Sequence, residues 1–355
     1  MENSRNGKGN LTMKKLLIPL GILAVVMLAT SIAKRGGEQD RVPGAALLGR
    51  DLQSRPSKGH LDQLYVEVSA LGNLDYFYDH KLGMKLAGEA LGVRTEYVGP
   101  AGYDIPAMIT ALEQTMAKKG IKGIVVVGFE PALVPIINKA VDSGIPVVTV
   151  DADLPDSRRI AFVGTGNYKA GLEGGAKLAE LIGGRGKVAL MTKVGQSNLE
   201  ERIRGYKDAL AKYRDISLAQ IVDTQSDAVI AAQVATAVLR KNPDLAGIGC
   251  VEAAGGMGAA TAVKEAGLAG KVKIVSMDRG DDVLEQIGKG VISATVAQRT
   301  ALMPFYAVQI LYNLNNQTIP ITRDNVKAQV SPVPSDIDTG VIIVDRTNYR
   351  YFLRK

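Results

Sequence analysis

Four polar side chains follow directly on hydrophobic runs: Asp151 after PVVTV, Glu252 after IGCV, Asp278 after KIVSM and Gln298 after ATVA. A carboxylate or carboxamide at such a place accepts or donates hydrogen bonds in a defined direction, which is the chemistry that recognises hydroxyl groups. Taken singly, each is as consistent with an exposed strand terminus or a helix cap. Four at equivalent positions point to one ligand. Arg202, in SNLEERIRGY, follows a capping Ser197 or Asn198 and is placed to fork two bonds to ligand oxygens, or to pair on a helix surface with Glu200 or Glu201. Tyr76, Phe77 and Tyr78 open a helical segment; their faces suit the C–H side of a ring ligand, with core packing accounting for at least one of them.

The elements that must carry these residues alternate. After Leu61, short β-branched runs are separated by longer amphipathic stretches, the signal for parallel sheets covered by helices. Strands are predicted at 63–70, 94–98, 123–128, 146–151 and 160–165, and again at 187–193, 217–223, 245–252, 272–278 and 293–298. Helices are predicted at about 77–91, 105–119, 132–142, 167–182, 199–212, 228–240, 256–266 and 301–314. The result is an α/β chain of two doubly wound units, whose ligands bind at the carboxyl ends of strands.

A chain of 355 residues with 46% apolar residues, 39 Gly and 14 Pro supports extensive cores. The net charge of +7 is concentrated at one end: residues 1–60 hold ten Lys or Arg against four acids, which leaves +1 for the rest. A body so near neutrality lacks the basic surface that duplex binding needs, so no nucleic-acid partner is expected. The single cysteine, Cys250, allows no internal disulfide. His60 and His80 stand without a Cys cluster, so no metal or other cofactor is expected, and both are read as solvated or helix-surface residues. Lys14 and Lys15 precede an apolar stretch, Leu16 to Ala33, that ends in a small-x-small pattern. Residues 1–33 are therefore a cleaved secretion signal or an N-terminal membrane anchor, and 34–61 a flexible Gly- and Pro-containing tether. A periplasmic or other extracytoplasmic location follows from either.

The ordered segments VSALGNLDYF, GIPVVTVDAD, FVGTGNYKAGLEGG, SNLEERIRGYKDAL, GCVEAAGGMGAATAV, KIVSMD, GVISATVAQ and TGVIIVD together resemble the type 1 periplasmic binding proteins of sugar ABC importers. The resemblance is closest to the ribose-binding branch and covers about residues 62–350. It implies two parallel-sheet lobes joined by a three-strand hinge, with crossings near 164–166, 298–299 and 335–338. The N-terminal lobe would be 62–164 plus 299–334, and the C-terminal lobe 165–298 plus 335–355. It also implies ligand binding by Asn73, Tyr76, Phe77, Asp151, Arg202, Asp278 and Gln298, alongside Glu252, in a monomer that delivers a carbohydrate-like ligand to an importer permease. The same fold also serves tethered ligand sensors that report to a chemoreceptor or sensor kinase. This chain departs from the ribose binders at Ala152, where they place Arg, at Glu252, where they place Asn, near Ser226, where they place an aromatic, and at Gly128-Phe129-Glu130, where an Asn or Asp is missing. One cation fewer and one carboxylate more favour a neutral or cationic ligand: another sugar, an amino sugar or a polyol.

Catalysis is not expected. GGMGAAT at 255–261 lacks the third glycine of a dinucleotide loop and lies in the third strand-helix unit, and no P-loop, nucleophile elbow or HExxH pair occurs. A regulator of the lac-repressor type would need a DNA-binding headpiece where residues 1–60 supply an apolar segment and a tether.

Overall fold

The computed structural model describes residues 60–316 and 319–354. The secretion signal or anchor, and nearly all of the tether, lie outside the described residues. Among those described, no helix is long and apolar enough to cross a membrane.

The first lobe is built from β1 (Leu64–Val68), α1 (Tyr78–Leu91), β2 (Arg94–Val98), α2 (Ile105–Met116), β3 (Ile121–Val127), α3 (Val134–Asp142), β4 (Val147–Val150) and β5 (Ala161–Gly164). The chain then enters the second lobe through α4 (Asn167–Leu181), β6 (Arg185–Thr192), α5 (Ser197–Leu210), β7 (Asp215–Asp223), α6 (Ala228–Lys241), β8 (Leu245–Cys250), α7 (Ala253–Glu265), β9 (Lys273–Met277), α8 (Asp281–Gly288) and β10 (Ala294–Gln298). It returns to the first lobe as α9 (Leu302–Asn316) and β11 (Asp336–Asp338), and ends with β12 (Val341–Asp345) in the second.

The two six-stranded sheets have matching orders, β11-β5-β4-β3-β1-β2 and β12-β10-β9-β8-β6-β7. Every pairing is parallel except β10 with β12. Helices cover both faces of each sheet, so the central strands are buried throughout; LYVEV of β1 and VVTV of β4 have no exposed residue. Each lobe has a core on both sides of its sheet, one in the first lobe around Tyr65, Met84 and Leu311 and the other around Val66, Met108 and Ile137. Helix starts are locally encoded: Asp104 accepts from the Ala107 N–H to cap α2, and Asp227 accepts from Val229 and Ile230 to cap α6.

One boundary differs from the sequence expectation. Residues 336–338, assigned above to the second lobe, pair with β5 in the first sheet, so the third crossing lies between Asp338 and Val341. The three crossings are bonded to one another. Thr165 Oγ1 donates to Gln298 Oε1 at 2.7 Å, the Thr339 N–H to Gly164 O at 2.8 Å, and the Gly166 N–H to Asp338 Oδ1 at 2.8 Å.

Candidate functional site

The matching sheet orders make β4 and β9 equivalent, and so the residues that end them, Asp151 and Asp278. The backbones agree: φ is +64° at Asp151 and +67° at Asp278. Their N–H groups donate to Val163 O and Val296 O, the same position on the next strand in each lobe. Left-handed backbone at a non-glycine residue is sparsely populated and persists where the surroundings enforce it. Here it turns the Asp278 carboxylate into the space between the lobes and the Asp151 carboxylate onto the Tyr76 hydroxyl.

A cavity of about 520 Å³ lies in that space. Asn73, Tyr76, Asp278 and Gln298 line it. Tyr76 donates its hydroxyl to Asp151 Oδ1 at 2.6 Å, which puts Asp151 one bond behind the wall. Gln298 is central: its Nε2 donates to Asp278 Oδ1 at 2.8 Å, and its Oε1 accepts from Thr165 and, at 3.3 Å, from Arg202 Nη2. Arg202 also donates through Nε to Asn167 Oδ1 at 2.8 Å and through Nη1 to Val251 O at 2.9 Å. Three of its five N–H groups are thereby engaged. Its place depends on close helix packing: a Cβ on Gly205, three residues on, would stand 2.2 Å from Tyr168 O, and one on Gly171 2.0 Å from Arg202 O. The R-x-x-G spacing is thus the contact that lets α5 approach α4.

Two expected contacts have other occupations. Phe77 is 2% exposed and is packed edge-on against Tyr76, His80 and Phe129 as a core ring. Glu252 caps α7, with Oε2 accepting from the Ala254 N–H and Oε1 from the Gly255 N–H and the Thr224 hydroxyl, all at 2.8 Å. Neither borders the cavity. His80 is corrected outright: it is fully buried, with Nδ1 2.6 Å from Glu67 Oε1. Burial opposes its protonation, but the Glu67 carboxylate prevails and holds its pKa above the ordinary imidazole value.

Burial pushes the Asp278 carboxyl above the usual range, and the Arg202 guanidinium and the Gln298 amide only partly offset it. Burial and the charges of Asp151 and Asp278 likewise drive the Tyr76 phenol well above its ordinary value, so it remains a hydrogen-bond donor. Burial and Glu252 push the Cys250 thiol up, leaving it a neutral core residue. Among the described residues, no group of three or more His, Cys, Asp or Glu side chains is placed to hold a metal ion.

Sequence reasoning missed a second polar group at the same cavity. Asp79, on α1, accepts from Arg279 at 2.6 and 2.7 Å, from Thr300 at 2.8 Å and from Arg354 at 3.1 Å. Arg279 is the neighbour of Asp278, so the strand-end rule pointed to its loop; nothing local marked Asp79 or Arg354.

The periplasmic binding protein domain matches residues 66–318, and the chain belongs to that family. It is 30% identical over 250 residues to the D-allose-binding periplasmic protein of Escherichia coli (strain K12), covering 66% of this chain and 79% of that one. Among solved structures, the arabinose-binding protein AraP of Geobacillus stearothermophilus superposes with a TM-score of 0.78 at 36% identity, covering 82% of this chain and 99% of that one. A sugar-binding protein of a Bacillus halodurans sugar ABC transporter gives a TM-score of 0.78 at 37% identity, covering 82% and 100%.

Proposed function

We propose that this member of the periplasmic binding protein family captures a small polyhydroxylated, sugar-like molecule between its lobes and delivers it to an ABC importer permease. The observation that carries the reading is the pair of equivalent strand-end carboxylates on left-handed backbone, Asp278 lining one interlobe cavity and Asp151 bonded behind its Tyr76 wall. Sugar hydroxyls are bound by fixed acceptors and donors whose own remaining bonds are already satisfied. At the cavity wall Asp278 supplies an acceptor, the Gln298 amide a donor and Asn73 a further polar contact, while Asp151 behind Tyr76 and Arg202 behind Gln298 hold these groups and come within reach of the ligand as the lobes close. Tyr76 offers its ring to the C–H face while its hydroxyl anchors Asp151. Phe77 and Glu252 act one layer back, the first by packing behind Tyr76 and the second by capping α7.

The names of the relatives agree with this ligand class, being allose, arabinose and sugar binders. The action is binding and release without covalent chemistry, by a monomer exported through its N-terminal segment. Closure of the lobes about the bonded crossings is the signal the permease reads.

Titration calorimetry of the purified protein against D-allose, D-ribose, L-arabinose, a hexosamine and a pentitol tests the proposal, with an amino acid as control. Saturable binding of a sugar or polyol that is lost in Asp278→Ala supports it. Binding of the amino acid with no response to any polyhydroxylated compound overturns the ligand class.

A further inference from the structure

A second set of bonds joins the two lobes at the cavity wall. Asp79 belongs to the first lobe and is 3% exposed. Arg279 and Arg354 belong to the second. Both Asp79 oxygens accept from Arg279 Nη2, at 2.7 and 2.6 Å, and Arg354 Nη2 adds a third bond at 3.1 Å. Each arginine is also anchored in its own lobe: Arg279 Nη1 donates to Phe352 O at 2.9 Å, and the Arg354 N–H donates to Asp281 Oδ1 at 3.3 Å. The Arg354 guanidinium lies 5.9 Å from the centroid of the Tyr78 ring, a further contact with the first lobe. Thr300, just past the second crossing, donates to Asp79 Oδ2 at 2.8 Å and fixes the carboxylate on its own side.

We propose that Asp79, Arg279 and Arg354 form a latch that joins the lobes at the cavity wall, positions Asp278 and sets the rate at which a bound ligand leaves. Three features support it. The latch joins the two lobes through side chains beside the second crossing, where Thr300 bonds Asp79, so parting of the lobes stretches or breaks it. Arg279 directly follows Asp278, so holding its side chain at Asp79 and Phe352 immobilises the peptide that presents Asp278 to the cavity. The same three residues line the cavity, so a change in their bonds is felt directly by whatever fills it. Opening exchanges these bonds for water, which keeps the net free energy modest, whereas breaking a nearly buried, charge-assisted contact burdens dissociation. Asp79, Arg279 and Arg354 are therefore positioning residues whose effect appears in koff.

The part concerning ligand rests on the sugar-binding reading, so the test has one arm that needs no ligand. Small-angle scattering of the ligand-free protein should give a larger radius of gyration for Asp79→Asn than for the unmodified protein at low salt, and raising the salt should bring the unmodified protein toward the variant. Stopped-flow measurement with whichever sugar binds should show koff raised roughly tenfold in Asp79→Asn with kon within about twofold. Arg354→Gln should show the same split to a smaller degree, and it replaces Asp79→Asn as the reporter if that variant does not melt cooperatively. In the double variant Asp79→Asn/Arg279→Gln the effects should be far from additive. Equal radii of gyration in the variants and the unmodified protein overturn the latch, as does an unchanged koff. If no sugar binds the unmodified protein, the ligand reading fails while scattering still decides the latch.

Discussion

Replacing Arg202 with Met keeps an unbranched stem in the slot between α4 and α5 and removes the guanidinium, so it tests whether the arginine braces the hinge before any ligand arrives. Two of its bonds are short, 2.8 Å to Asn167 and 2.9 Å to Val251 O, and the third, to Gln298, is 3.3 Å. At about 1.5–3 kcal/mol for a bond to a charged group, the set is worth roughly 5 kcal/mol gross. Removing a guanidinium that is only 6% exposed returns part of its desolvation cost. Against that, the buried Val251 carbonyl loses its partner, at about 1–3 kcal/mol. The net loss is about 3 kcal/mol, which for a body of about 290 residues lowers Tm by roughly 5 °C. Differential scanning calorimetry of the ligand-free protein reads this directly, and Arg202→Lys, which keeps the charge without the planar fork, should fall between. A Tm for Arg202→Met within about 1 °C of the unmodified protein, less than 1 kcal/mol by the same scaling, would refute the reasoning. Arg202 would then be a group waiting for a ligand, with no structural duty.

Three further outcomes follow from the same geometry. Asp278→Asn keeps a residue type that tolerates φ > 0 and keeps an acceptor for Gln298; because the folded protein raises the Asp278 pKa, the native carboxyl costs stability as pH rises through that raised value. The variant should therefore melt higher at neutral pH, with the advantage vanishing below about pH 4, while calorimetry shows weaker sugar binding. Gly205→Ala places a methyl 2.2 Å from Tyr168 O and must drive α5 off α4, costing about 3 kcal/mol by chemical denaturation and displacing Arg202. Tyr76→Phe removes the bond to Asp151 at a cost of about 1 kcal/mol in a urea melt and leaves the ring in place, so sugar affinity should fall less than in Asp151→Ala.

Much of this architecture was legible because parallel sheets buried on both faces leave continuous apolar runs, such as IVVV in β3 and VVTV in β4. The polar residue ending each run could then be assigned to the ligand end of its sheet. β11 escaped because DID is three residues long and alternates without an apolar run. Glu252 ends a strand like Asp278, which left both a ligand and a cap reading open in the sequence; its long carboxylate reaches two N–H groups of α7 with the help of Thr224. His80 was misplaced because its partner, Glu67, interrupts an otherwise apolar strand, and neither residue alone announces a buried pair. The Asp79 cluster is assembled from residues 200 and 275 positions apart, a proximity that no local pattern encodes.

The left-handed backbone at Asp151 and Asp278 also limits how this cleft can change over evolutionary time. Glycine, asparagine and aspartate are the residues that settle there with little strain. Glycine would erase the functional group, so the two poles of the cleft can vary between a carboxylate and an amide and hardly beyond. A descendant adapting to a different small molecule must leave these poles in place. Its new preferences have to be written at lining positions on ordinary backbone, such as the exposed Asn73.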